Sequence, residues 1–328
     1  WVAELLADAG LPEHLFQVVA GDGPAAGGAL VDAADFISFT GSTATGRVVA
    51  ARAGERLTGV SLELGGKNAM IVRADADLAR AVEGALRGSF ASTGQLCMAI
   101  ERLYVHRVLY DAFLARFVDR VGRLRLGSGL DWGADLGSLT SAAQLAKITG
   151  HVEDAVAKGV TVRAGGRPRP DIGPFFFEPT VLTGVTPDMR LHSEETFGPV
   201  VAVRPFDTDD EAVELANASR YGLNASIWSR DTRFARVLAT RIEAGTVNVN
   251  ESYSAAWASV DAPMGGVKDS GLGRRHGVDG LLKYTEAQTI AVQHVVPLDL
   301  SAPWVGRPGA RKVATKVLGA MRRIPGLR

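Results

Sequence analysis

The chain has 328 residues, of which 36 are basic and 36 acidic, so its formal charge at neutral pH is zero. This balance gives no reason to expect a nucleic-acid partner. Apolar residues make up 46 % of the chain and charged residues 22 %, as in ordinary globular proteins. We find no apolar run of the ~18–20 residues that span a bilayer, and no secretory signal. The single cysteine excludes an internal disulfide, and we expect a reducing cytoplasm.

The first residues, from Trp1 to Ala9, follow a helical apolar pattern with no N-cap before them. A natural domain rarely starts inside a helix. We therefore interpret the chain as a fragment that lacks an N-terminal part. Further along, residues 16–19 predict a short strand and residues 31–34 a helical turn.

Residues 36–39 predict a strand, which is followed by a glycine turn at 41–46 and a helix through about Ala53. A strand, a glycine turn and a helix N-terminus together form an anion site, because backbone N–H groups and the helix dipole converge there. The spacing Gly-x-x-x-x-Gly, without Lys-Ser/Thr after it, matches neither common nucleotide fingerprint. A plain turn with a serine cap stays open as the alternative.

Glu63 lies between Leu62 and Leu64, directly before a Gly-Gly turn. Apolar surroundings disfavour a charged carboxylate and raise its pKa toward the range of a general base. The alternative is an exposed glutamate at the end of a strand.

Cys97 follows Gly94, Gln95 and Leu96, where the preceding helical pattern ends. Gly94 allows close backbone approach just before the thiol. A nucleophilic thiol needs surroundings that favour the thiolate, and the local sequence leaves open whether Cys97 is a nucleophile or a small core residue.

Helical and strand patterns alternate along the rest of the chain, which predicts an α/β fold with an open, mostly parallel sheet and helices on both faces. The predicted strands cover residues 69–72, 101–106, 181–182, 200–204, 225–228 and 246–250. The predicted helices cover residues 77–93, 110–124, 141–158, 209–219 and 233–243.

In combination, the motifs resemble those of the NAD(P)-dependent aldehyde dehydrogenase superfamily, and the likeness runs from Trp1 to about Gln293. The matching stretches keep the family's order and spacing, with 34 positions from Glu63 to Cys97. They are residues 39–42 with Gly46, 62–67, 94–97, 194–199, 263–271 and 284–286.

The resemblance implies that Cys97 attacks the aldehyde as a thiolate and that Glu63 activates the water that releases the acid. It implies NAD or NADP as cofactor and no metal. Glu195 would hold the nicotinamide ribose, Phe197 would pack near the nicotinamide, and Gln144 and Lys147 would contact the adenosine ribose. The implied cofactor-binding set is Gly41, Ser42, Gly46, Leu64, Gly65, Gln144, Lys147, Glu195 and Phe197.

The resemblance also implies a domain organisation. Residues 1–64 would be the C-terminal part of the cofactor domain, 65–283 the complete catalytic domain, 284–298 an oligomerisation strand and 299–328 a basic amphipathic tail. The family's oxyanion-hole Asn, a ribose-binding Lys and the residue that separates NAD from NADP would lie upstream of Trp1. Whether the fragment is active by itself therefore stays open.

Within the family, the sequence around Cys97 is most similar to succinate-semialdehyde dehydrogenases. Several of these place an Arg six residues before the cysteine to hold the substrate carboxylate, and here that position is Ala91. A short or medium aliphatic aldehyde fits equally well. Phe90, Tyr253 and Trp257 are candidates for an apolar substrate tunnel, with a core position as the alternative.

Residues 289–293 predict a strand that in the family pairs across a subunit interface, so we expect a homo-oligomer, either a dimer or a tetramer. Beyond it, apolar and basic residues fall on opposite faces of a predicted helix. The apolar face holds Ala310, Val313, Ala314, Val317, Leu318 and Met321. This helix could dock on its own subunit, which we favour because no aromatic anchor is present, or lie on an anionic membrane surface.

Two other functions stay open. The first is a catalytically silent subunit that only oligomerises or docks on membranes, which the retention of both Cys97 and Glu63 disfavours. The second is an acylating enzyme that passes the thioester to coenzyme A, which Glu63 disfavours because a water-activating base serves hydrolysis.

Overall fold

The computed structural model describes residues 1–129, 132–293 and 307–323. The chain divides into two compact units, 1–285 and 286–328. The helices are α1 Val2–Asp8, α2 Gly28–Ala33, α3 Thr43–Gly54, α4 Leu78–Phe90, α5 Arg107–Gly122, α6 Ala142–Ala157, α7 Arg190–Ser193, α8 Asp209–Asn217, α9 Thr232–Ala239, α10 Ser254–Ala258, α11 Gly277–Leu282 and α12 Pro308–Met321. A π-helical turn, Gly23–Gly27, and a 3₁₀ turn, Ala91–Gly94, complete the helical segments.

The strands are β1 Phe36–Thr40, β2 Gly59–Glu63, β3 Asn68–Val72, β4 Ile100–His106, β5 Thr161–Ala164, β6 Thr180–Thr183, β7 Val200–Phe206, β8 Tyr221–Gly222, β9 Asn224–Trp228, β10 Thr246–Val249, β11 Val267–Lys268 and β12 Gly271–Leu272. They form a three-stranded sheet (β1-β2-β12), a seven-stranded sheet (β10-β9-β3-β4-β7-β6-β5) and a two-stranded ribbon (β11-β8).

The seven-stranded sheet is parallel except at β5, which pairs antiparallel with β6. Strand β3 lies inside this sheet and all five of its residues are buried. A strand that is covered on both faces needs apolar side chains in both directions, which explains the continuous apolar run.

Alternate residues of β3 pack against different helices. Met70 and Val72 belong to an apolar cluster with residues of α4 and α5, whereas Ala69 and Ile71 belong to one with α8 and α9. Successive side chains of a strand point to opposite faces, so the two clusters place helices on both faces of the sheet. The predicted fold class is confirmed.

The three-stranded sheet carries the glycine turn and Glu63. Strands β1 and β2 run parallel, and Thr40 at the end of β1 is the register partner of Glu63 at the end of β2. Strand β12 pairs antiparallel with β2, so Gly271 is also opposite Glu63. The residues that follow β12 are therefore brought close to the Glu63 carboxylate.

Two sequence predictions in the first unit are corrected. Residues 16–19 form no strand, and Val18 and Val19 are exposed; a strand needs a hydrogen-bonding neighbour, and the sheet to which β1 belongs has none for them. The helix predicted through Thr93 ends at Phe90, because Ser92 and Thr93 adopt left-handed backbone angles.

In the second unit, residues 289–293 have no strand geometry, so the predicted strand is absent from the single chain. The predicted amphipathic helix is present as α12, with Val313, Val317 and Leu318 exposed within this unit. The domain boundaries expected from the sequence, and the docking of this helix, stay predictions.

Candidate active site

A strained turn presents Cys97. After α4 ends, Ser92, Thr93 and Gly94 all have positive φ, with values of 51°, 58° and 69°. A Cβ on Gly94 would lie 2.2 Å from the carbonyl oxygen of Gly198, so only glycine fits there. The Asn68 amide donates to the carbonyl of Cys97 at 2.8 Å. These contacts fix the backbone on both sides of the thiol.

The Cys97 thiol is half-buried. Burial raises its pKa, and the negative charges of Glu63 and Glu195 raise it further, whereas the backbone N–H groups of Cys97 and Met98 act in the opposite direction. A thiol whose pKa is raised by burial and by two carboxylates is protonated at rest and becomes a nucleophile when its proton is removed.

Glu63 is buried and only 4 % exposed. Burial raises the pKa of its carboxyl group, while the positive charges of Arg275, Lys283 and Arg274 counteract the rise. Its Oε1 atom is buried and has no hydrogen-bond partner in the described part of the chain. A carboxylate with an uncommitted oxygen and a raised pKa has the properties of a general base for a water molecule.

Glu195 lies against the Gly-Gly turn after β2. Its Oε1 accepts from the backbone N–H of Gly66 at 2.8 Å, and a Cβ on Gly65 would lie 2.4 Å from its Oε2. Burial and the charge of Glu101 raise the pKa of Glu195 to about 7, although Lys147 and Lys67 oppose the shift. The structure thus places Glu195 against Gly65 and Gly66 and within the electrostatic influence of Lys147, and the cofactor contacts of these residues stay predictions.

A buried ion pair supports the loop that carries Glu195 and Phe197. Lys67 Nζ lies 2.5 Å from Glu101 Oε2, and both side chains are almost fully buried. Glu101 Oε1 also accepts from the backbone N–H groups of Thr196 and Phe197, at 3.0 and 2.9 Å. Phe197 has a left-handed backbone with φ of 57°, which these hydrogen bonds hold in place.

His151 extends this network. Its Nδ1 lies 3.3 Å from Thr196 Oγ1 and its Nε2 lies 3.2 Å from Glu194 Oε2. Burial lowers the pKa of His151 to about 4, helped by the positive charge of Lys67. The imidazole is therefore neutral at physiological pH and connects α6 to the loop before β7 as a hydrogen-bonding group.

The glycine turn at residues 41–46 forms the N-terminus of α3. Ser42 is the N-cap, and its Oγ accepts from the backbone N–H of Thr45 at 3.1 Å. A Cβ on Gly46 would lie 2.4 Å from Leu64 Cδ2, and a Cβ on Gly41 would lie 2.5 Å from Phe39 Cζ. Gly46 allows the first turn of α3 to pack closely against Leu64, in the loop after β2. The N-terminus of a helix offers backbone N–H groups to an anion.

Gln144 binds the loop before β7, to which Glu101 also binds. Its amide nitrogen donates to the carbonyls of Thr196 and Phe197 at 2.9 and 2.7 Å. This geometry supports Phe197 directly and commits the amide nitrogen of Gln144 to the protein. The contact of Gln144 with an adenosine ribose stays a prediction.

The three aromatic tunnel candidates occupy different surroundings. Phe90 is buried and stacks on Phe117, so it is a core residue, and its prediction as a tunnel residue is wrong. Tyr253 packs with Cys97 against a cluster of Met98, Leu223 and Met264. Trp257 is 60 % exposed.

A cleft of about 380 Å³ lies away from these groups. Its lining includes Arg102, Tyr104, Tyr110, His192 and Arg204, but not Cys97, Glu63 or Glu195. The Arg102 guanidinium already donates to the backbone carbonyls of Lys67, Leu215 and Ala216. The size of this cleft therefore does not mark the candidate active site.

Sequence reasoning missed Glu101, His151 and Arg275 as parts of the site. Glu101 and Arg102 interrupt an otherwise apolar strand pattern, which is a detectable signal because buried charges need partners. No local pattern indicates His151 or Arg275, since their partners are distant in sequence. No cluster of His, Cys, Asp and Glu that could hold a metal was found in the ranges that the structure describes.

The sequence model of the aldehyde dehydrogenase family matches residues 1–290. A protein of Mycolicibacterium smegmatis named "putative succinate-semialdehyde dehydrogenase (NADP+)" is 52 % identical over 326 residues, which are 99 % of this chain and 62 % of that protein. The 2-aminomuconic semialdehyde dehydrogenase of Danio rerio is 39 % identical, over 89 % of this chain and 61 % of that protein.

Solved structures of aldehyde dehydrogenases are also similar to this chain. Betaine aldehyde dehydrogenase from Staphylococcus aureus, in complex with NAD+, superposes with a TM-score of 0.82 at 38 % identity, over 86 % of this chain and 57 % of that one. An aldehyde dehydrogenase from Bacillus cereus gives a TM-score of 0.83 at 40 % identity, over 87 % of this chain and 57 % of that one. The chain thus spans about three fifths of the length of the proteins that it matches. By sequence and by fold, it belongs to the aldehyde dehydrogenase family.

Proposed function

We propose that the protein containing this chain oxidises an aldehyde to a carboxylic acid with NAD or NADP, through a covalent intermediate on Cys97. The observation that supports this most directly is the electrostatic coupling of the half-buried Cys97 thiol to Glu63, a buried carboxylate whose Oε1 has no hydrogen-bond partner in the described ranges. A thiol and a carboxylate coupled in this way are suited to act as nucleophile and base, in a chain of the aldehyde dehydrogenase family.

In the proposed mechanism, the Cys97 thiol gives its proton to solvent water, and its sulfur attacks the aldehyde carbon to form a thiohemiacetal. The backbone N–H of Cys97 donates to the developing oxyanion. Departure of a hydride from the former aldehyde carbon leaves a thioester on Cys97. Glu63 then takes a proton from a water molecule, whose oxygen attacks the thioester and releases the acid and the Cys97 thiolate, to which Glu63 returns the proton.

The described residues fit a nicotinamide dinucleotide, which when bound supplies the hydride acceptor. Gly46 and Gly65 pack tightly against Leu64 and Glu195, where a Cβ would collide, so the first turn of α3 and Glu195 both lie against the loop after β2. Gly41, Ser42 and Gly46 would bind the pyrophosphate through the N-terminus of α3. Glu195, with a pKa of about 7 beside Lys147, would accept hydrogen bonds from a ribose.

For the substrate we propose succinic semialdehyde. The support is the name of the relatives, which are 50–52 % identical to this chain. Ala91 stands where several such enzymes have an arginine, so another group would have to hold the substrate carboxylate.

The test is an assay of reduced nicotinamide with succinic semialdehyde and hexanal, each with NAD and NADP. It is run on this chain and on a chimera completed with the remaining residues of the Mycolicibacterium relative. Activity that disappears in Cys97→Ala and falls by about 10²-fold or more in Glu63→Gln supports the proposal. Turnover that survives Cys97→Ala, or that requires coenzyme A, contradicts it.

We also propose that the protein forms a homo-oligomer, a dimer or a tetramer. Strand β10 is an edge of the seven-stranded sheet, and Phe234 and Val237 of α9 are 41 and 63 % exposed. Exposed apolar side chains beside an open strand edge are a common setting for a second copy of a chain.

Sedimentation equilibrium tests this proposal. Val237→Asp is expected to lower the mass to that of a monomer, because it places a charge in the apolar contact. Val108→Asp on α5 serves as the control and is expected to keep the oligomer, since Val108 is also an exposed valine, at 76 %. A wild-type chain that stays monomeric at high concentration contradicts the proposal.

A cytoplasmic location is proposed as well, supported by the single free thiol. Cell fractionation with an antibody tests it, and recovery in a membrane or extracellular fraction contradicts it. Among the residues that the structure describes, no helix is long and apolar enough to cross a membrane.

A further inference from the structure

An arginine lies beside the buried carboxylate without completing a hydrogen bond to it. Arg275 Nε is 3.9 Å from Glu63 Oε1. Both atoms are buried, and neither has a hydrogen-bond partner in the described ranges. A buried donor or acceptor without a hydrogen-bond partner lowers the stability of the fold. The proximity of these two atoms therefore indicates that they interact with each other.

The backbone places Arg275 at this position. Its N–H and carbonyl exchange hydrogen bonds with the carbonyl and N–H of Met264, at 2.5 and 2.7 Å. Met264 packs in the same cluster as Cys97 and Tyr253. The far end of the guanidinium donates to Thr40 Oγ1 at 2.6 Å, so the side chain spans from β1 to Glu63.

The other cations near Glu63 have different partners. Arg274 donates to the backbone carbonyls of Gly266 and Gly273, at 3.1 and 2.8 Å. Lys283 donates to Ser61 Oγ at 3.0 Å. Cys97 is the remaining titratable group whose charge is coupled to Glu63. Of these three cations, Arg275 is therefore the one with an uncommitted, buried Nε, and this atom lies 3.9 Å from the carboxylate.

We propose that Arg275 is a positioning residue that orients the Glu63 carboxylate and keeps it ionised for attack of water on the Cys97 acyl group. The proposal rests on the function proposed above. A small rotation of either side chain brings Nε and Oε1 to the ~2.7–2.9 Å of a charge-assisted hydrogen bond, with the second carboxylate oxygen facing the water. The Arg275 charge favours the ionised carboxylate, which burial alone disfavours.

The first measurement is the hydrolysis of p-nitrophenyl acetate, which needs neither cofactor nor aldehyde. Acylation of Cys97 releases a burst of p-nitrophenolate, and deacylation by Glu63-activated water sets the later rate. Arg275→Gln is expected to keep the burst and to move the acid limb of the deacylation profile up by about one pH unit. Arg275→Lys retains the charge and is expected to move it less.

The second measurement does not depend on catalysis. Carbon-13 NMR of chains labelled at the glutamate carboxyl group, with the Glu63 resonance assigned through Glu63→Gln, gives the pKa of Glu63 directly. It is expected to rise in Arg275→Gln and to stay unchanged in Arg107→Gln. Arg107 is a matched control, because it loses the same charge but pairs with Asp207 on the surface.

The outcomes separate the two proposals. An unchanged pKa of Glu63 in Arg275→Gln overturns the role of Arg275, whatever the activity. A wild-type burst that Cys97→Ala does not abolish contradicts the proposed thiol chemistry, while the NMR titration still decides whether Arg275 controls Glu63.

If Arg275→Gln does not fold, Thr40→Val is used instead. This variant frees the guanidinium of Arg275 from β1 and is expected to change the pKa of Glu63. An unchanged pKa of Glu63 in Thr40→Val overturns the proposal.

Discussion

At the scale of single residues, the electrostatic coupling between Cys97 and Glu63 predicts the direction in which a mutation of Glu63 shifts the pKa of Cys97. An ionised Glu63 repels the thiolate and raises the pKa of Cys97, so removing that charge lowers the pKa. Glu63→Gln is therefore expected to speed alkylation of Cys97 by iodoacetamide at neutral pH and to shift the alkylation profile to lower pH. A profile that is unchanged, or that moves upward, would show that the two groups are not coupled.

The buried pair of Lys67 and Glu101 predicts a large effect on stability. Burial lowers the pKa of Lys67, and the Glu101 carboxylate opposes the shift. Lys67→Met leaves Glu101 buried without its cation and is expected to lower the free energy of unfolding by about 3–5 kcal/mol, measured by urea denaturation. Lys158→Met, which breaks a partly exposed pair with Asp154, is the control and is expected to cost less than about 1 kcal/mol. Equal losses in the two variants would refute this reading of the network.

At the scale of elements, the turn from α4 to Cys97 depends on one glycine. Gly94→Ala combines a left-handed φ of 69° with a collision against the Gly198 carbonyl, whereas Gly159→Ala combines a φ of 90° with open space. Both variants are expected to lose about 1–2 kcal/mol through backbone strain. Gly94→Ala is expected to lose additional stability through the collision, and to slow alkylation of Cys97. Thermal unfolding compares the two variants, and equal losses of stability would mean that the collision with the Gly198 carbonyl does not destabilise Gly94→Ala.

Sequence patterns predicted most of the elements because the central strands are buried on both faces. The apolar run that became β3 and the amphipathic pattern that became α4 are dictated by local residue types. The failures at residues 16–19 and 289–293 have one cause: a strand needs a neighbour, and the local pattern does not contain it. The early end of α4 was missed because the left-handed backbone at Ser92 and Thr93 is imposed by tertiary contacts.

At the scale of the whole molecule, the candidate site is built from segments far apart in the chain. The family resemblance of the motifs indicated Cys97, Glu63 and Glu195 as candidates, but not the groups that shift their pKa values. Glu101 and Arg275 act through contacts with residues 95 and 212 positions away in sequence. Such partners follow from the way β2, β4 and β12 are arranged, and only the fold reveals them.

We propose that an acyl group forms on Cys97 and that Glu63 removes it with water. Mass spectrometry of Glu63→Gln after mixing with aldehyde and oxidised cofactor tests both steps. We expect about one added acyl group per chain, located on the peptide that contains Cys97, together with one equivalent of reduced nicotinamide. Reduced nicotinamide without an adduct on Cys97, or steady turnover at the wild-type rate in this variant, would contradict it.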